Sequence, residues 1–511
     1  MRLPHAKRFM VVDDVAARAT YFADLAWIDG AWARDVLLSV GQDGRWHGVQ
    51  INAPPLARQG AVGLSGPVLP GLVNAHSHAF QRAIAGLTEC RNASGAQDAG
   101  VPANDDFWSW RDRMYSAANR ITPAQLEAIA TMLYAELLMG GYTHVCEFHY
   151  LHNAPGGKPY ADPMEMSLAL VRAARTVGIG LTLLPTLYMR SGFGASGLRE
   201  DQLRFSSSPD SVMRIVEEVQ QLTVRPIGAV ETASRNVGAL GILLNAGIAL
   251  HSLRAVDAVA VKELAVAADQ QSLPIHIHIA EQTQEIADCV DHTGQRPIDW
   301  LLNHAEVNAR WNLVHGTHTT AAELKGVKRS GAAIVICPST EANLGDGVFD
   351  YSGYAGLGGN WSIGSDSHIS RSWPEELRLL EYSQRLTLHR RNIAASVMGT
   401  GSTAATLFEA ALAGGNAATA LPLGGIAVGN RADFCVLDAQ STALLGVPDS
   451  QLLDALVFSS PVARFAEVFV GGQPVMQAGQ ACGTRPSSPQ TVTRWPQLAA
   501  NFSQAMKQLW D

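Results

Sequence analysis

Between residues 70 and 368 the sequence carries eight short apolar, β-branched runs, separated by segments that read as helix plus loop. They are GLVNAHSHAF (71–80), YTHVCEFHY (142–150), GLTLLPTLY (180–188), GIALHSLRAV (247–256), LPIHIHIAE (273–281), WNLVHGTH (311–318), AAIVICPS (332–339) and WSIGSDSH (361–368). Intervening stretches such as PAQLEAIATMLYAELLMGG and MEMSLALVRAARTVGIG carry apolar residues at helical spacing and stop at glycine, which closes a helix at little steric cost. Eight strands alternating with helices over roughly 300 residues predict an α/β chain with a closed parallel (β/α)8 TIM barrel. An open doubly wound sheet is the alternative, but no G-x-G-x-x-G follows the first run.

The flanks have a different rhythm. Residues 21–69 and 424–480 hold short alternating segments, AWIDGAWARDVLLSV in front and ADFCVLDA and EVFVGGQPVMQAG behind. These predict strands from both termini pairing into one small β-sandwich domain beside a barrel that spans 70–423. Residues 1–20 read as an N-terminal extension and 481–511 as a C-terminal helical segment. Residues 88–106 are polar and rich in Gly, Ala, Asn and Asp. A loop of that length is either functional or disordered, and it follows the first strand, where a barrel carries active-site loops.

Composition excludes several partners. A net charge of −8 with no Lys/Arg run is unsuited to neutralising a phosphate backbone, so nucleic acid is not expected. No apolar stretch approaches the length of a membrane span. The six cysteines are scattered without C-x-x-C spacing, which points to reduced thiols and the cytoplasm.

Metal-capable residues recur at the C-terminal ends of the runs. The first ends in His76 and His78, which point to the same side of an extended strand. The fifth ends in His276, His278 and Glu281, the sixth in His315 and His318, and the eighth in Asp366 and His368. Any one of these is more often a satisfied core residue than a ligand. Four strand ends carrying them on one barrel face point to a metal centre. His76, His78, His278 and Asp366 give three imidazoles and a carboxylate, with a position left for water. Glu281 lies far enough along to handle protons, and His315 is placed to polarise the electrophile or orient the water. His276 lies deeper in its strand and reads as structural, while His318 and His368 read as supporting or loop residues.

H-x-H on the first strand, H-x-x-E on the fifth, His on the sixth and S-D on the eighth resemble the amidohydrolase superfamily in its mononuclear deaminase branch. GGIAVGNRADFCVLD is similar to that superfamily's return into the β-sandwich. More narrowly, HSHAFQRAIAGLTE, FWSWRDRMY, EFHYLHN, ALHSLRAV, HIHIAEQ, STEANLGDG and GSDSH together resemble the formimidoylglutamate deiminases of bacterial histidine degradation. The resemblance covers nearly all of residues 21–480. It departs at 90–105, which is longer than usual, and over the first twenty residues.

The resemblance implies hydrolysis of N-formimidoyl-L-glutamate to N-formyl-L-glutamate and ammonia, with Glu281, His315 and Asp366 catalytic. It implies a divalent ion, zinc with iron as the other candidate, and a homodimer. The run GIALHSLRAV lacks the lysine that a second ion in such barrels commonly needs, which favours one ion per subunit. The two carboxylates of a small dicarboxylate substrate call for cationic forks. Arg254 and Arg111 lie in the matching motifs, and Gln81, Tyr150 and His251 are candidates to complete the pocket. Phe107, Trp108 and Trp110 fit packing as well as substrate contact. The competing expectations are a mononuclear aminohydrolase acting on a guanine-like or S-adenosylhomocysteine-like ring, and a barrel scaffold without catalysis.

Overall fold

The structure, a computed structural model, describes residues 17–89, 106–224, 243–477, 480–481 and 494–511. Most of the expected 1–20 extension and of the 88–106 loop therefore lies outside the described residues.

Eight strands form the barrel: Leu72–Ser77, Tyr142–His149, Gly180–Leu187, Ile248–Ser252, Ile275–Ile279, Trp311–His315, Ala333–Ile336 and Asn360–Ile363. Each pairs in parallel with the next. Closure comes from just beyond the eighth strand. Asp366 bridges to Ser77, its N–H donating to the His76 carbonyl at 3.0 Å while its own carbonyl accepts from the His78 N–H at 3.2 Å. The strands are shorter than the apolar runs, because the polar ends of the runs turn away into loops. The left-handed backbone at Ala280, His315, Asp366 and His368, with φ of 54°, 70°, 46° and 65°, marks three of those exits.

The helices follow local chemistry. Pro123–Met139 opens with a capping box in which Thr122 and Gln125 satisfy each other's backbone N–H groups, with proline at the first helical position. Glu165–Val177 ends where Gly178 takes φ 82°. A third helix, Thr403–Thr419, closes the floor of the barrel. The last carbonyls of a helix have no partner within it. Here Ala417, Ala418 and Thr419 accept from Asn312 Nδ2, His276 Nε2 and Asn245 Nδ2, at 3.3, 2.8 and 2.7 Å. The C-terminal segment includes the helix Arg494–Trp510, and Trp510 Nε1 donates to the Ala83 carbonyl at 3.2 Å.

Strands from both flanks form a second, nine-stranded sheet. The chain passes from it into the barrel at Gly71, where a Cβ would fall 2.2 Å from Thr143 Cγ2, so only glycine allows the two sheets to approach this closely. The second sheet folds over its own apolar core. Trp46 and Phe434 lie four strand steps apart in the sheet order, about 19 Å if it were flat, yet their rings are 5.5 Å apart. Tyr21 and Phe469 complete that aromatic cluster.

Where this sheet meets the barrel, buried Arg431 pairs with buried Asp433 at 2.6 Å and also contacts His144 on the second barrel strand at 3.1 Å. Removing one partner strands the other charge, a loss of roughly 3–5 kcal/mol. Arg431→Met is therefore expected to lower the thermal midpoint by several degrees. A midpoint equal to the parent's in scanning calorimetry would show that this pair does not hold the two sheets together.

Candidate active site

Three imidazoles converge at the barrel mouth. The Nε2 atoms of His76, His78 and His278 lie 3.0–3.3 Å from one another. Asp366 Oδ1 sits 3.5 Å from His76 Nε2 and 3.4 Å from His78 Nε2. All four side chains are buried. Burial lowers all three imidazole pKa values, His78 to about 3, so the rings are neutral.

The donor set fits a cation. His78 Nδ1 is 2.9 Å from the Phe148 carbonyl, and His278 Nδ1 is 2.8 Å from the His251 carbonyl. A carbonyl only accepts, so each Nδ1 carries the proton and each Nε2 presents a lone pair. Two lone pairs 3.3 Å apart repel unless a cation lies between them. Tetrahedral zinc with bonds of ~2.0–2.1 Å holds its nitrogens ~3.3 Å apart, close to the spacing here.

The supporting loops are strained and braced. Left-handed backbone at a residue with a Cβ costs about 1–3 kcal/mol and persists where the surroundings over-determine it. At Asp366 the closing bridge fixes the backbone on both sides. At Ala280 the brace is Glu285, whose carboxylate accepts the N–H groups of Ala280 and Glu281 at 3.2 and 3.1 Å. His315 is held at Nδ1 by Glu341 Oε1, 3.4 Å away. Its Nε2 lies 3.6 Å from Glu281 Oε1 and 3.7 Å from Asp366 Oδ2. Burial alone would lower the pKa of His315, but the carboxylates of Glu281, Glu341 and Asp366 outweigh it and raise it to about 10. Burial pushes Glu281 up to about 7.

One cavity joins this cluster to the remaining sequence candidates, lined among others by Gln81, Arg111, Tyr150, His251 and Arg254. Gln81 Nε2 donates to the Tyr150 hydroxyl at 3.2 Å. The His251 ring lies tilted against that of Tyr188, with centroids 4.3 Å apart. Arg111 and Arg254 each bury an Nε without a partner among the described residues. Phe107 and Trp110 line the cavity too. The other histidines lie elsewhere: His276 in the barrel floor, and His368 behind the cluster with Nδ1 3.0 Å from Ser365 Oγ.

Four residues at the site were not singled out in the sequence. Tyr115 lies one helical turn after Arg111, a usable spacing signal, whereas Glu285, four positions after Glu281, and Glu341, within STEANLGDG, are tied to the site only by the fold. Tyr188, whose hydroxyl lies 3.1 Å from that of Tyr115, gave no signal beyond ending an apolar run.

A model described as "Amidohydrolase family" matches residues 68–475. The chain belongs to the amidohydrolase family. Within that family it is 42% identical over 471 residues to the formimidoylglutamate deiminase of Pseudomonas aeruginosa, covering 91% of this chain and 96% of that one. A 5-methylthioadenosine/S-adenosylhomocysteine deaminase of Halobacterium salinarum is 24% identical over 382 residues, 75% of each chain. Among solved structures, an amidohydrolase from Brucella melitensis superposes with a TM-score of 0.82 at 36% identity, covering 97% of this chain and all of the other. No helix among the described residues is long and apolar enough to cross a membrane.

Proposed function

We propose that this amidohydrolase hydrolyses N-formimidoyl-L-glutamate to N-formyl-L-glutamate and ammonia. The observation that carries this reading is a pair of guanidiniums opening on the same cavity as the three-histidine, one-aspartate cluster. A substrate with two carboxylates and one hydrolysable C=N group matches both halves. A purine-like ring would bring no carboxylate for either guanidinium to hold.

His76, His78, His278 and Asp366 hold one divalent ion, zinc in this reading, though the same donors suit ferrous iron. When bound, such an ion supplies the Lewis acidity that makes water a nucleophile near neutral pH. Arg111 and Arg254 bind the carboxylates, and Gln81, Tyr150 and His251 line the space between them and the cluster. Asp366 takes the proton of the attacking water. His315, braced by Glu341, carries positive charge towards the reacting centre. Glu281, poised near neutrality, protonates the imino nitrogen, then relays the proton held by Asp366 to that nitrogen as the C–N bond breaks and ammonia leaves, and is restored by the hydroxyl proton of the collapsing intermediate. The enzyme acts in the cytoplasm as a homodimer, which light scattering on the purified protein would read.

Ammonia release from formimidoyl amino acids and from aminopurines tests the assignment. Turnover of N-formimidoyl-L-glutamate well above that of any aminopurine is expected, and the reverse order overturns the reading. Arg111→Met or Arg254→Met should each lower kcat/KM by two to three powers of ten, from roughly 3–5 kcal/mol for removing one side of a buried charge pair. Lysine should rescue in part, since a point charge cannot copy the bidentate fork. Unchanged efficiency in either methionine variant removes that residue from the clamp.

A further inference from the structure

Arg111 and Arg254 come from distant parts of the chain, the helix Phe107–Ala118 and the loop after the strand Ile248–Ser252. Both guanidiniums nevertheless lie over one ring. The Arg111 carbon is 4.5 Å from the centroid of Trp108, and the Arg254 carbon is 5.5 Å from it. Arg111 is gripped further by Tyr115, at 5.4 Å. Residues three before and four after Arg111 on a helix share its face, so Trp108 and Tyr115 flank it by construction.

Two like charges facing one cavity repel, and at Arg254, where burial alone would lower the pKa, the Glu285 and Glu281 carboxylates offset this and raise it. Asp112, which pairs with Arg111 at 3.8 Å, is 67% exposed. The negative face of an indole is a neutral alternative that attracts each cation without neutralising it for an incoming carboxylate.

We propose that Trp108 is a positioning residue that fixes the spacing of Arg111 and Arg254 and thereby selects the chain length of the dicarboxylate. The inference rests on the functional reading above. The indole spans the gap between helix and loop, so the distance between the two forks is set by one rigid ring rather than by two flexible side chains. A glutamyl substrate satisfies both forks at that spacing, and an aspartyl substrate, one methylene shorter, satisfies one. Glycine derivatives have a single carboxylate and are indifferent to the spacing.

The test compares kcat and KM of the metal-loaded wild type with those of Trp108→Leu and Trp108→Phe. The substrates are N-formimidoyl derivatives of L-glutamate, L-aspartate and glycine. In Trp108→Leu the glutamate-to-aspartate ratio of kcat/KM should fall roughly tenfold, the scale of losing two cation–π contacts. The loss should appear in KM for the glutamyl substrate, with the glycine derivative little affected and metal content unchanged. Trp108→Phe keeps a π face and should restore most of the ratio. If Trp108→Leu does not fold, Trp108→Gln, polar and of intermediate bulk at this half-buried position, carries the same comparison. An unchanged ratio in the leucine or glutamine variant, or an equal loss on all three substrates, overturns the inference alone. Failure of the wild type to turn over the glutamyl substrate overturns the functional reading, and this inference with it.

Discussion

Replacing His78 or Asp366 with alanine is expected to remove the bound metal and the activity together. Each substitution takes one donor from a four-donor set, and three remaining donors hold a divalent ion poorly and no longer fix its open position. The two variants fail for different local reasons. His78→Ala removes a ring whose Nδ1–H is fixed by the Phe148 carbonyl, so a pre-oriented ligand is lost while the backbone bonds at the barrel seam remain. Asp366→Ala also places alanine at φ 46°, a conformation that aspartate and asparagine tolerate better. Asp366→Asn separates the two effects, because it keeps the backbone preference and loses the charge. Elemental analysis of wild type should give about one ion per subunit, with a small fraction of that in either alanine variant. Full occupancy in His78→Ala would remove His78 from the ligand set, and two tightly held ions in wild type would refute the mononuclear reading.

The parts of the site legible in the sequence are those that depend on strand-end position. His76, His278 and Asp366 could be placed because a parallel barrel gathers the C-terminal ends of its strands on one face. His78 reached the cluster by a route that periodicity did not describe. Its strand ends at Ser77, and His78 has left the extended region with φ −123° and ψ 87°. Its Nε2 still lies 3.1 Å from that of His76, because the bond to the Asp366 carbonyl fixes its backbone. Alternation thus named the right neighbour, while barrel closure fixes its position. His276 shows the opposite end of the same rule. It shares a strand with His278 and is spent on a helix carbonyl in the barrel floor. The bracing of His315 by Glu341, and the meeting of Arg111 and Arg254 over Trp108, join segments far apart in the chain. Local pattern carries no information about such pairings, and only the closed fold supplies it.

Glu281→Gln should retain metal and fold while losing most turnover, on the order of 10²–10⁴-fold in kcat. The amide keeps the shape of the carboxyl group and one acceptor oxygen, yet it cannot exchange a proton. Nothing else about the loop need change, since the bonds that hold it run from Glu285 to the backbone N–H groups of Ala280 and Glu281 rather than to the Glu281 side chain. Glu281 is also outside the three-histidine, one-aspartate donor set, so metal content provides an independent control. The loss should fall on kcat more than on KM, because the proton moves as the C–N bond is made labile rather than when substrate binds. Removing Glu281 through its brace offers a second route to the same conclusion. Glu285→Gln leaves the Glu281 carboxyl intact but withdraws the charge that holds Ala280 at φ 54°, so it should cost less than Glu281→Gln while shifting the same parameter. Near-normal turnover of Glu281→Gln at saturating substrate would transfer the proton-donating role to another group. His315, 3.6 Å from the Glu281 carboxyl, would be the first candidate.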